Sequence, residues 1–317
     1  MSDKDSITKE YMKQPDRFAD LFNGFCFGGE EKLRPDELKD MDTTSIVLPY
    51  GSDGAALPEQ KARDVLKLAL KTDGKAAYCI LGVENQTEVH TAMPIRNMLY
   101  DAMTLTEQVV ATAKLHKAAH NHGNDNAEFL SGFHHDDKVL PVITLVVYWG
   151  ADDWDAPVTL REMYPQGVDE GILKYATDYK MNLISPAKMT DQQLDVFRSD
   201  LKAVLKFIKH SRDKVELANL VNNNQDYKSL DRLAAQTISV CSGQNFNFPV
   251  GEERIDVCKA IDDMITDARN EAQDEGMKNV VATVRDLNLS KEVAVQQLAK
   301  RYPLSQEDAV EFVNHNW

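Results

Sequence analysis

The run KVLPVITLVVYWG at 138–150 restricts the fold of this chain more than any other stretch. It is almost continuously apolar, rich in β-branched residues and closed by Gly150, the pattern of a central strand covered on both faces. Such a strand needs helices above and below it, and the flanking sequence offers them. MPIRNMLYDAMTLTEQVVATAKLHK (93–117) reads as a long helix opened by Pro94, and DQQLDVFRSDLKAVLKFIKHS (191–211) as one amphipathic helix. Further upstream, Phe18, Leu21, Phe22 and Phe25 follow helix-face spacing after Pro15, and Gly28-Gly29 ends that helix. The expected class is α/β.

A second extended region lies between Pro58 and Ala92. PEQKARDVLKLAL would suit a helix by propensity, yet Asp64, Leu66, Leu68 and Leu70 alternate with Val65, Lys67 and Ala69 as on a half-buried strand. Thr72-Asp73-Gly74 is a hairpin signal, and AAYCILGVENQ beyond it is rich in β-formers. The region reads as strand–turn–strand. DYKMNLIS is expected as another strand, and residues 118–138, with HNHGNDN and GFHHDDK, as a polar, mobile connector. The expected organisation is a polar frayed tail at 1–14, an α/β domain at 15–215 and a helical region at 216–317, with Ser290 and Ser305 as N-caps near its end.

No stretch approaches the roughly 18 consecutive apolar residues of a membrane span. The start is polar, without an apolar signal core. Four scattered cysteines without a CxxC pair read as reduced thiols, so a cytoplasmic location away from membranes is expected. With 36 Lys+Arg against 51 Asp+Glu the formal net charge is −15, which argues against a broadly basic nucleic-acid binder. It leaves a local phosphate site open, because charges act over a Debye length of about 8 Å in physiological salt. Neither a phosphate-cradling glycine loop nor a GxSxG elbow is present.

If the strand pair forms, Asp64 near the start of its first strand and Glu84 near the end of its second become neighbours. Glu84 and Gln86, two apart, share a face. Two carboxylates and an amide at one sheet edge can hold a hard divalent ion. Asp64 followed by ILGVENQ (80–86) resembles the Asp…Glu-x-Gln variant of the PD-(D/E)xK phosphodiesterase core. PDRFADLFNGF, GVENQ, MPIRNMLYDA and VLPVITLVVYWG, in that order, resemble the recombination-promoting nuclease/putative transposase family of that superfamily, over roughly residues 15–215.

The resemblance implies a restriction-endonuclease-like mixed sheet flanked by helices, followed by a helical C-terminal region. It implies a Mg²⁺-dependent (or Mn²⁺-dependent) DNA endonuclease linked to recombination or mobile elements. Asp64 and Glu84 would be metal ligands, with Gln86 standing where the general pattern has Lys and Arg63 where it has Pro. An amide can orient water but supplies no cationic charge. Arg96 would contact phosphate, with Tyr100 on the same helix face, and Asp20 is a candidate accessory carboxylate. DNA is the expected partner. The C-terminal helices are assigned to homodimerisation, target contact or regulation, without a choice among them. Two other readings compete: a catalytically degenerate nuclease fold that binds DNA or protein, and an interaction protein recruiting partners through its acidic helical tail.

Overall fold

The computed structural model describes residues 3–47, 59–70, 77–244 and 246–317. In chain order it forms helices α1 (Asp3–Lys13) and α2 (Pro15–Phe27), strands β1 (Leu38–Asp40), β2 (Thr44–Val47), β3 (Glu59–Ala62), β4 (Val65–Leu70) and β5 (Ala77–Gln86), and helices α3 (Met93–Ala118) and α4 (Asn126–Ser131). Then come β6 (Val142–Tyr148), α5 (Glu170–Leu173), β7 (Asn182–Ile184), α6 (Asp191–Leu194), α7 (Leu201–His210) and α8 (Lys214–Asn223). The chain ends with β8 (Leu230–Asp231), α9 (Arg232–Ser242), β9 (Arg254–Ile255), α10 (Val257–Asp286), α11 (Lys291–Arg301) and α12 (Gln306–Asn316).

Five strands make one mixed sheet in the order β1-β4-β5-β6-β7. The pairs β1/β4 and β4/β5 are antiparallel, while β5/β6 and β6/β7 are parallel. The apolar run expected as a buried strand is β6, between two parallel neighbours, with Leu145, Val146 and Val147 fully buried. Helices α1 and α3 pack on this sheet. Together they give a mixed α/β architecture with helices around the sheet and a helical C-terminal region.

Residues 65–70 and 77–86 are strands, paired antiparallel from Val65↔Val83 to Leu70↔Ala77. The expected turn at Thr72-Asp73-Gly74 lies outside the described residues. Strand β4 is buried more fully than its alternation suggested: Lys67 is 2% exposed. Its ammonium pairs with Asp40 on β1 and lies 5.4 Å from the Phe18 ring centroid, so its charge and its stem both find partners.

Three expectations fail for physical reasons. The start is no frayed tail but helix α1, because Thr8, Tyr11 and Met12 form one buried face at helical spacing. Its Tyr11 hydroxyl donates to Asp200 Oδ1 at 2.7 Å, while Arg17 of α2 clamps Asp200 through two hydrogen bonds and reaches Asp231 at 2.6 Å. The single helix expected over 191–211 is broken into α6 and α7. Asp20 draws the Arg198 and Ser199 amides away from helical bonding, and the Phe197 ring occupies the space beside Gly24 that any side chain there would fill. The connector 118–138 contains α4, capped by the Asp125 carboxylate and ended by Gly132 at φ +65°.

The chain divides into two compact units, Met1–Gln244 with Glu252–Ile255, and Asn245–Gly251 with Asp256–Trp317. Helices α8 and α9 therefore belong to the first unit, and the division falls about thirty residues beyond the boundary expected at 215. In the second unit, the C-terminal half of α10 packs with α11 and α12 around Val281, Val284, Leu298, Ala309 and Val313. Ser305 caps α12 by accepting from the Asp308 amide; Ser290 occupies the N-cap position of α11 without such a bond. No described helix is long and apolar enough to cross a membrane.

Candidate active site

The β4/β5 register brings the two expected carboxylates together. Val65 faces Val83, so Asp64, one residue before β4, lies across from Glu84. The backbone amide of Asn85 donates to Asp64 Oδ2 at 2.7 Å, which ties Asp64 to the neighbouring strand. Burial raises the Asp64 pKa, and the Asn85 amide, with the positive charges of Lys9 and Arg96, offsets part of that rise.

Glu84 is in a more extreme setting. The residue is 0% exposed, and neither of its carboxylate oxygens has a hydrogen-bond partner. Arg96 Nη2 stands 3.6 Å from Oε2. Burial, reinforced by the negative charge of Asp64, pushes the Glu84 pKa up to about 8, even though Arg96, Arg63 and the Asp64 backbone amide act against the rise. A fully buried acid without hydrogen bonds is costly to keep, since native structures satisfy the great majority of such groups.

Gln86 shares the strand with Glu84 and is 8% exposed; its Nε2 donates to the Asn85 carbonyl at 3.1 Å. Arg96, in the first turn of α3, donates from Nε to the Tyr100 hydroxyl at 3.1 Å. Tyr100 itself is buried, with the Arg63 and Arg96 guanidinium carbons each 5.4 Å from its ring centroid. It props two cations and does not face solvent. A cleft of about 280 Å³ opens over this edge, with Asp5, Asp64, Gln86, Glu88, His90 and Arg96 in its wall.

Asp20 is elsewhere in function. Its Oδ2 accepts from the Ser199 amide at 2.8 Å and the Ser199 hydroxyl at 2.6 Å, and the Arg198 amide reaches both carboxylate oxygens. With those bonds its oxygens are committed to holding the start of α7.

Asp5, Lys9 and Arg63 also stand at the site. Asp5 and Lys9 come from α1: Asp5 lines the cleft and accepts from the Thr87 hydroxyl at 3.0 Å, and Lys9 lends positive charge to Asp64. The helical spacing of Thr8, Tyr11 and Met12 was the available signal. Arg63 is 4% exposed and joins a buried network in which it donates to Thr144 Oγ1 at 2.6 Å and to Asp101 Oδ1 at 3.0 Å. The Tyr179 hydroxyl donates to the other Asp101 oxygen at 2.6 Å. Gly82 leaves the room that the Arg63 guanidinium fills, and any Cβ there would collide with it. Nothing local in the sequence marks that arginine as buried.

The site therefore combines two facing carboxylates, one of them without hydrogen bonds, with three nearby cations. Among the described residues no third His, Cys, Asp or Glu atom closes with Asp64 and Glu84 into a tighter cluster.

Residues 4–237 match a family described as putative transposase, YhgA-like, and the match includes α1. No similar curated protein and no similar solved structure was found. The chain belongs to the YhgA-like putative transposase family.

Proposed function

We propose that this chain is a divalent-metal-dependent DNA endonuclease of the PD-(D/E)xK type, serving recombination or the movement of DNA segments. The observation that carries the reading is the Glu84 carboxylate, buried, without hydrogen bonds and opposite Asp64. A buried carboxylate whose oxygens are only partly compensated, by Arg96 and the Asp64 amide, suits a hard cation, whose charge would offset its desolvation. The family membership adds the expectation of a DNA substrate.

In this reading Asp64 and Glu84 hold Mg²⁺ or Mn²⁺. Such an ion, held there, would supply Lewis-acid polarisation of a phosphoryl oxygen and acidify a bound water. Asp64 is positioned by the Asn85 amide through one oxygen, which leaves the other for the cation. Gln86 orients water in the cleft, without the charge that a lysine would bring. Arg96 meets the phosphodiester, its fork held by Tyr100. Lys9, from α1, stands in for the cation missing at position 86.

The opposing reading, a nuclease fold that binds DNA without cleaving it, is favoured by Gln86 and the net charge of −15. Supercoiled plasmid incubated with Mg²⁺, Mn²⁺ or Ca²⁺ separates the two. The wild-type chain should nick with Mg²⁺ or Mn²⁺ and Asp64→Ala should not. Equal nicking by both proteins, or none by either, would remove the assignment.

A further inference from the structure

The polar connector between α3 and β6 was expected to be mobile, yet it is built around a set of mutually held side chains. Glu128 of α4 is 3% exposed and accepts from the Asn124 amide at 2.6 Å and the His135 amide at 2.8 Å, which folds the loop back on itself. His116, in the last turn of α3, contacts Asp137 Oδ2 through Nε2 at 2.8 Å. The same Asp137 oxygen accepts from the His134 amide at 2.6 Å. The His116 and His134 rings stack 3.8 Å apart, inclined by 18°.

Two features of this arrangement call for a ligand. First, one donor atom from each of His116, His134 and Asp137 lies within 4.8 Å of the other two. Ligands about 2.0–2.1 Å from a tetrahedral ion stand roughly 3.3 Å apart, so the spacing suits one ion once the near-parallel rings turn to aim their in-plane lone pairs at it. Second, His134 Nε2 is buried and has no hydrogen-bond partner. Neutral imidazole nitrogens with one carboxylate make a borderline donor set, unlike the all-oxygen pair at Asp64 and Glu84.

We propose that His116, His134 and Asp137 form a second metal site, taking a Zn²⁺-class transition ion that pins the 119–141 connector to the end of α3. Its fourth position is left for water, since no other His, Cys, Asp or Glu among the described residues joins the cluster. The site is independent of the carboxylate pair: Arg96 and His116 are twenty residues apart on α3, about 30 Å along a helix. Its role is structural, fixing the segment that leads into β6, the strand beside β5.

The test titrates the full, metal-free chain with Co²⁺, whose visible absorption reports nitrogen-containing, near-tetrahedral coordination, followed by Zn²⁺ competition. One equivalent of Co²⁺ should bind, be displaced by Zn²⁺ and resist a large excess of Mg²⁺. His134→Ala and Asp137→Asn should each weaken binding about 100-fold or more. Asp64→Ala should bind Co²⁺ as the wild type does, so failure of the nuclease reading leaves this result unaffected. Unchanged Co²⁺ binding in both ligand variants, or displacement by Mg²⁺, would overturn the site. A readout free of substitutions completes the test: Zn²⁺ should shift the ring ¹⁵N resonances of two histidines in the wild-type chain, and no shift would also overturn it.

Discussion

Asp20 and Glu84 are both buried carboxylates, and their surroundings differ in the one respect that separates structural acids from functional ones. Asp20 accepts from two backbone amides and a hydroxyl at the start of α7. Neither Glu84 oxygen has a partner in full hydrogen-bond geometry; the Asp64 backbone amide and the Arg96 cation compensate it only in part. The α2/α7 junction has used its carboxylate to satisfy orphan amides at the head of a helix. The β4/β5 edge keeps its carboxylate in reserve.

The largest effect expected from this contrast is on catalysis. Glu84→Gln keeps the shape of the side chain and removes the anionic ligand, so Mg²⁺-dependent nicking should fall about a thousand-fold or more. Retention of a tenth of the wild-type rate would break the contrast, since Glu84 would then be no more functional than Asp20. Asp20→Ala should do the reverse. Losing the acceptor for three part-buried donors should cost about 2 kcal/mol in urea-unfolding free energy, with the nicking rate per folded molecule unchanged.

A smaller effect concerns pH. Metal-free Glu84 holds its proton up to about pH 8, against an ordinary value of 4.5. Between those limits the unfolded chain has released a proton that the folded chain retains, so stability falls as pH rises through this window. Glu84→Gln removes the effect. In the presence of a chelator it should be more stable than wild type by on the order of 2 kcal/mol at pH 8, with the advantage vanishing near pH 5. A variant less stable than wild type at pH 8 would show that the carboxylate is satisfied in solution. The smallest effect is at Lys9. Lys9→Met should lower the cleavage rate about tenfold while leaving Mg²⁺ affinity close to wild type, which would place the missing cation on α1.

Strand β6 and the β4/β5 pair were legible because each carries its own signal: a continuous apolar run, and alternation meeting a β-rich segment. Their register followed, and with it the meeting of Asp64 and Glu84. The rest of the site depends on tertiary contacts that no local pattern announces. Arg63 is buried because Gly82, Thr144 and Asp101 converge on it from three elements. Helix α1 was read as a tail because its composition is polar, although its narrow buried face makes it part of the fold. Asp20 was misplaced for the same reason: its partners lie almost 180 residues away. The helix expected over 191–211 failed through those same contacts, since propensity favoured it and Asp20 overrode it.

In the proposed enzyme Glu84 and Asp64 share one divalent ion. Mn²⁺ binding followed by electron paramagnetic resonance tests this directly, in protein carrying Asp137→Asn so that the histidine cluster contributes nothing. One Mn²⁺ should bind and be displaced by Mg²⁺, and Glu84→Gln in that background should abolish it while Asp20→Ala leaves it intact. Equal Mn²⁺ binding with and without Glu84→Gln would contradict the account.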